Sequence, residues 1–377
     1  MPRTPEPALS GVLRVNAALL PPLGVFCAAR LLMVEAARAV GVDGWTAAAW
    51  KRFDSVHYLG IATTGYEYFS CGRLGGPPSE TCGNAAWFPL YPWLLRPLIA
   101  LGLAPETAGA AVAGVAALGM LLVLWNVFLR HRGLRGWLVL AVAAVFPGAV
   151  YQHAIFSTSL ALLGLVLAAS FVDRGRWGLA GIAGAGVALS YVTGVLVSIP
   201  NGVTAFLRTR AIRPALLAGG VAASGFLGVL ALHQLLLGHW DAFYWVHRKG
   251  FPAMAQPVDA FLAVIDPAFH AVNHRHRMIA AQAITTAVLV ALGLGVAWTR
   301  RSRPDAARAW AVVAALVFWI FPLLVGRGVS LYRSDALVLP VVLLLAELPP
   351  WVLGALVIWL AVLAEQMARL FFLGYLI

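Results

Sequence analysis

Long apolar runs alternate with short polar breaks along almost the whole chain. Stretches from about Leu13 to Ala37, Ala108 to Leu129, Pro214 to Leu237, Met278 to Trp298 and Ala306 to Val325 can each cross a hydrocarbon core of about 30 Å as a helix. Elsewhere the pattern is interrupted. Between Arg135 and Asp173 two shorter apolar segments meet at Phe146-Pro147-Gly148 and Tyr151-Gln152-His153. Trp177 to Leu207 repeats the arrangement, broken near Tyr191–Gly194 and at Pro200-Asn201, and two last apolar segments are separated by Glu347–Pro350. Broken helices at membrane depth are tolerated where they line a cavity or pack inside protein. The count comes to about ten or eleven crossings. The expected fold is an all-α polytopic membrane protein, a single transmembrane domain over 1–377.

Two long polar-aromatic stretches stand apart from the apolar runs, about 41–105 and 238–277, and are expected to be extracytoplasmic loops. The first reads WKRFDSVHYLGIATTGYEY, then a Gly/Pro/Cys-rich insert, then NAAWFPLYPWLLR. Its final part, Phe88 to Leu103, is apolar but opens on Pro89 and Pro92, which places it on or partly in the membrane rather than across it. In the first span, Arg30 and Glu35 are five residues apart, a spacing that does not favour an intrahelical pair, so each needs a partner elsewhere or an interface.

Composition agrees with the pattern. The 377 residues are 61% hydrophobic and 11% charged, with mean hydropathy +0.85, more apolar surface than a soluble core needs. The net charge of +12 would suit nucleic acid or an anionic surface. Its placement excludes the first: Arg130/Arg132/Arg135, Arg174/Arg176, Arg208/Arg210/Arg213 and Arg300/Arg301/Arg303 lie in short turns between apolar runs, where the positive-inside rule puts the cytoplasm. The N-terminal run, preceded by Arg3 and Arg14, reads as an uncleaved first helix entering from that side. Both lysines, Lys51 and Lys249, fall on the opposite side with Arg52, Arg73, Arg248, Arg275, Arg277, Arg327 and Arg333. Basic residues there need a local reason, either acids and lipid headgroups or an anionic substrate. Cys27 reads as a core thiol, while Cys71 and Cys82 flank the loop insert and are expected to form a disulfide in an oxidising compartment. No Cys/His spacing or acidic cluster suggests a metal.

Asp54, His57 and Tyr58 are the candidate chemistry. In a helix their spacing puts a carboxylate, an imidazole and a phenol on one face beside a membrane. Asp54 reads as a general base, or alternatively as a helix cap or an ion-pair partner of Lys51 or Arg52.

RFDSVHYLGIATTGY followed by WFPLYPWLLR resembles the GPI mannosyltransferase II (PIG-V) family of GT-C membrane glycosyltransferases and its bacterial relatives. The matching residues are Arg52, Asp54, His57, Tyr58, Ile61, Ala62, Gly65, Tyr66, Phe88, Pro89 and Pro92. FPGAVYQHAIFSTS, the run after Thr193, GHWDAFYWVH and LYRSDALVLP extend the similarity over most of the chain. Phe53 stands where the family has Trp, Thr158 where a Glu is expected and Tyr191 where relatives often have Arg, so a second acid and one basic contact of the pattern are missing.

The resemblance implies a GT-C fold and an inverting transfer of mannose from polyprenyl-phosphate-mannose to an outer-leaflet glycolipid or glycan. No cofactor is expected; the lipid-linked sugar is a substrate. Asp54 is then the base, with His57 orienting it or touching sugar. Arg333 is the expected donor-phosphate contact, followed by Arg248, Lys249 and His247; a pair between Arg333 and Asp335 is the competing reading. Arg52, Tyr58, Tyr66, Tyr91 and Trp87 are the acceptor or sugar contacts, although an interfacial aromatic belt predicts the same rings. The expected setting is a bacterial cytoplasmic (inner) membrane with the active site on its extracytoplasmic side. The partners are membrane lipids, donor and acceptor, with no nucleic acid, and the chain acts as a monomer. Two other classes remain open at this point: a lipid or glycolipid transporter using Glu35, Glu347 and Glu365, and an inactive assembly partner that keeps the fold without needing Asp54.

Overall fold

A computed structural model describes residues 9–376 apart from 249–253, 255, 271–272, 302–304 and 327–329. Lys249, Arg303 and Arg327 lie outside the described residues. The chain is almost wholly helical. In order it forms α1 (Leu9–Arg38), α2 (Ser55–Thr63), the strands β1 (Tyr68–Ser70) and β2 (Thr81–Gly83), α3 (Leu90–Ala100), α4 (Pro105–Val123), α5 (Leu134–Ala144), the single turn α6 (Val150–His153), α7 (Thr158–Asp173), α8 (Trp177–Ser190), α9 (Ser198–Thr209), α10 (Ile212–Ala215), α11 (Val221–Leu237) and α12 (Ala242–His247). It closes with α13 (Pro257–Ile265), α14 (His274–Thr299), α15 (Ala306–Gly326), α16 (Leu331–Ser334), α17 (Val342–Leu345) and α18 (Pro350–Phe372).

Among the described residues six helices are long and apolar enough to cross a membrane: Ala17–Arg38, Pro105–Arg132, Ile212–Leu237, His274–Thr299, Ala306–Val325 and Pro350–Phe372. The protein is an all-α, multi-pass membrane protein. The ten or eleven crossings expected from hydropathy thus resolve into six full-length spans and several short pieces. α5, α7 and α8 have 11, 16 and 14 residues; at 1.5 Å per residue, 14 residues rise only about 21 Å. Short helices need not reach both faces of a bilayer when protein surrounds them. Ala161, Leu162, Leu165, Ala168, Ala169 and Val172 of α7 are buried, as are Ala180, Val187 and Ala188 of α8.

Small residues make this packing possible. A Cβ on Gly181 of α8 would lie 2.2 Å from the carbonyl oxygen of Leu217, and one on Gly225 of α11 would lie 2.5 Å from that of Ala185. The helix backbones therefore touch, which is how dispersion replaces the missing hydrophobic drive between helices in lipid.

The two stretches expected to be loops have structure of their own. The first carries a 3₁₀ turn at Ala47–Trp50, then α2, the β1–β2 hairpin and α3. Cys71 and Cys82 are disulfide-bonded beside this hairpin, with Cα atoms 5.0 Å apart. The buried Asn84 closes its neck: its side chain donates to Gly65 O at 3.0 Å and accepts from Glu67 N at 2.8 Å. α3 has 11 residues, too few to span, and buries Tyr91 and Leu95 while Trp93 and Leu94 are exposed. At one end of α4, Glu106 meets Lys51 at 2.8 Å; at the far end of the same span, Arg132 meets Glu347 at 2.9 Å. The first loop and the basic turns therefore sit at opposite ends of the bundle.

Candidate active site

Trp50 anchors the entry to the site. It is wholly buried, its Nε1 donates to Gly44 O at 2.9 Å, and Phe372 meets it edge-on at 5.0 Å. The Arg30 guanidinium lies 3.7 Å over the same ring and donates to His153 O at 3.2 Å, which answers the need for a partner outside its own helix. Glu35 pairs instead with Arg38, one turn further along α1. Ser55 then tightens the chain, donating to Arg52 O at 2.7 Å while accepting from Arg52 N at 3.2 Å.

Phe53 adopts φ 50, a left-handed conformation that costs a bulky side chain about 1–3 kcal/mol. It is held edge-on against Phe371, ring centroids 5.6 Å apart. The twist presents Asp54 at the N-terminus of α2 without a side-chain capping bond, although an Asp there would ordinarily cap and gain about 1 kcal/mol. Its carboxylate is turned to Arg333 instead, in a short ion pair through Oδ2. Lys51 is taken by Glu106, so neither local partner expected from the sequence holds Asp54.

Arg333 reaches the site from α16. Its guanidinium lies 5.7 to 5.8 Å from the ring centres of Phe53, Tyr151, Phe156 and Tyr332, an aromatic box that orients a planar cation. One terminal nitrogen holds Asp54, the other donates to Leu376 O at 3.3 Å, and the buried Nε has no hydrogen-bond partner. The Arg333–Asp335 pair anticipated as an alternative does not form. Asp335 is buried and accepts from Gln282 Nε2 at 2.9 Å. Gln282 also donates to Tyr332 O at 2.8 Å and accepts from Gly148 N at 3.3 Å. This locks the Phe146-Pro147-Gly148 break against the turn that carries Arg333.

Beside the pair, His57 stacks on Trp87 with ring centroids 3.6 Å apart and planes 15° from parallel. His247, from α12, approaches the same indole at 6.2 Å and hydrogen-bonds the backbone of Ala86. Burial holds His57 below the ordinary imidazole value, opposed by the Asp54 and Glu67 carboxylates. Burial lowers His247 as well, opposed by Asp54 and the Ala86 bond. Two imidazoles biased toward neutrality therefore flank one indole within the field of one carboxylate. Trp87 has a face covered by His57, which leaves less of it for a sugar than the sequence suggested.

The three tyrosine hydroxyls each have a partner within the protein. Tyr58 is buried with its hydroxyl 2.8 Å from Ser157 Oγ, Tyr91 donates to Gly109 O at 2.8 Å, and Tyr66 donates to Trp87 O at 2.9 Å. Arg52 is half-buried, with its Nε enclosed and unpartnered. Arg248 is exposed and lies 5.1 Å over the Trp245 ring; Lys249 lies outside the described residues. The structure thus joins Asp54, His57, Trp87, His247 and Arg333. Sequence reasoning missed the box around Arg333. Its only prior signal was that Tyr151 and Phe156 border an interrupted helix pair. Among the described residues no group of three or more His, Cys, Asp or Glu side chains is arranged to hold a metal. Compared with known protein families and with curated proteins, the chain matches none.

Proposed function

We propose that the chain is an inverting GT-C glycosyltransferase that transfers mannose from polyprenyl-phosphate-mannose to a glycolipid or glycan on the extracytoplasmic face of a bacterial cytoplasmic membrane. The observation that carries this reading is the union of Asp54 with Arg333. A base and a phosphate-seeking cation are the two charges the reaction needs, and they meet in a membrane protein at the end opposite its basic turns. The acceptor hydroxyl gives its proton to Asp54 as its oxygen attacks the anomeric carbon. The bond from that carbon to the phosphate oxygen breaks, and the lipid phosphate leaves with the electron pair. Arg333 meets the growing charge.

The pair also explains how the charges are stored without substrate. Arg333 holds the Asp54 carboxylate in an ion pair, and a phosphate draws on the same guanidinium, freeing carboxylate lone pairs for the acceptor. His57, biased toward its neutral form by burial and stacked on Trp87, stands within the field of the Asp54 carboxylate. A lipid transporter has less support. Glu35, Glu347 and Glu365 are each held in ion pairs with arginines.

The test uses purified full-length protein in lipid, radiolabelled polyprenyl-phosphate-mannose and a total lipid extract. Label entering a new glycolipid with the wild type and not with Asp54→Asn supports the reading. Equal transfer by both removes Asp54 from the mechanism, and transfer from other lipid-linked sugars alone corrects the donor.

A further inference from the structure

Two ion pairs meet in one cavity on the lipid side of the bundle, outside the centre described above. Glu35 and Arg38 pair at 2.9 Å near the end of α1, and Glu365 and Arg369 pair one turn apart near the end of α18. With Ala39 these four side chains line a cavity of about 380 Å³. Both helices are full-length spans, so four charges stand within one or two turns of the membrane-spanning ends, at headgroup depth. Ion pairs facing lipid cost desolvation unless polar groups complete their hydrogen bonds.

The bonds they make leave capacity unused. Both Arg38 contacts go to Glu35 Oε2, so Glu35 Oε1 has no protein partner among the described residues. Arg369 uses only Nε on Glu365 Oε1, while Gln366 takes Oε2 at 2.7 Å, so the terminal nitrogens of Arg369 are also uncommitted. The cavity therefore offers guanidinium donors and a carboxylate acceptor side by side, with no net charge. An anion is drawn by the arginines and repelled by the glutamates. A headgroup carrying both charges is favoured at each end.

From this arrangement we infer a binding site for one zwitterionic phospholipid whose headgroup joins a phosphodiester to a primary ammonium. The phosphodiester lies on Arg369 and Arg38, where guanidinium suits phosphate oxygens. The ammonium donates to Glu35 Oε1. A quaternary ammonium has no N–H to donate there and binds less well. The site is coupled to the Asp54 centre by the end of α18: Phe371 and Phe372 pack on Phe53 and Trp50, and Leu376 O accepts from Arg333. The inference does not depend on sugar transfer.

Native mass spectrometry of the full chain, released from detergent with equimolar phosphatidylethanolamine, phosphatidylcholine and phosphatidylglycerol of identical acyl chains, tests it. The expected result is roughly tenfold to a hundredfold greater retention of one phosphatidylethanolamine over either competitor, the size of one charge-assisted hydrogen bond. Glu35→Gln should bring phosphatidylethanolamine down to phosphatidylcholine. Ala39→Phe, which fills the cavity and keeps every charge, should remove bound lipid of all three kinds. Equal retention of the three lipids by the wild type, or a preference for phosphatidylglycerol, overturns the inference. So does a phosphatidylethanolamine preference that survives both substitutions.

Discussion

Asp54 and Arg333 stand 279 residues apart in the chain and form one ion pair, with side chains 29% and 12% exposed. The carboxylate is the more open partner, so a hydroxyl can reach it while the cation stays boxed by aromatic rings. Replacing Asp54 with Asn keeps the shape and removes the proposed base. Transfer should fall roughly a hundredfold to ten-thousandfold, with the thermal unfolding midpoint within a few degrees of the wild type. Radiolabel transfer and a melting curve on the same preparation read both.

Arg333→Lys keeps the positive charge and loses the planar fork that serves Asp54 and Leu376 O and, in the proposed reaction, a phosphate. Turnover should drop on the order of tenfold to a hundredfold, and Arg333→Gln should lose more. If Arg333 were only a structural partner of Asp54, the Lys variant would restore most of the rate. The comparison of the two variants in the transfer assay decides this.

Acid should destabilise the His57–Trp87 stack. The folded-state pKa of His57 lies below 6.5, the ordinary value to which it returns on unfolding. The unfolded chain therefore takes up more protons as pH falls through 6.5, and stability is lost from there down to the folded value, below which no more is lost. His57→Phe retains a ring on Trp87 and cannot titrate. Its midpoint should fall less than that of the wild type between pH 7.5 and pH 5, measured by thermal unfolding in detergent.

The hairpin disulfide offers a readout of sidedness as well as stability. With the two cysteines 11 positions apart in sequence, closing the loop is worth about 2–3 kcal/mol to the local structure. Cys71→Ser with Cys82→Ser should make the hairpin the first site of limited proteolysis and leave transfer within a few-fold of normal. After reduction of intact cells, a membrane-impermeant maleimide should label the wild-type pair. Labelling only after lysis would place the Asp54 end of the bundle on the cytoplasmic side.

Gly181→Ala tests the helix contacts. Its Cβ would meet the Leu217 carbonyl at 2.2 Å, and backbone cannot swing aside as a side chain does. A loss of about 2–3 kcal/mol or more is expected, visible as poor yield of folded protein and a lower melting midpoint.

The long spans were readable because hydropathy is local: α4, α11, α14 and α15 fall close to the apolar runs that announce them. Asp54 and Arg333 were readable because charged groups beside greasy segments are few. Their pairing was not, since nothing in a linear pattern ranks a partner 279 residues away above a neighbour two residues on. The near neighbour, Asp335, loses because Gln282 draws it into the core. Phe53 was noticed only as a departure from a family pattern. Its role depends on a positive φ and on Phe371, and no periodicity encodes either. The loops hid their folds for a similar reason: the stack of His57 on Trp87 is a contact between segments about thirty residues apart, set by turns rather than by a repeat.

Asn84 stitches Gly65 to Glu67 and so seals the base of the hairpin before the chain goes on to Trp87. Whatever lies between Glu67 and Asn84 hangs from a closed loop whose stem is held by that side chain, the strand pairing and the disulfide. The outgrowth is therefore a natural port for engineering. An epitope, a fluorophore-binding tag or a longer insert placed between Gly75 and Ser79 should be carried as a passenger. The chemistry beneath it would remain in register.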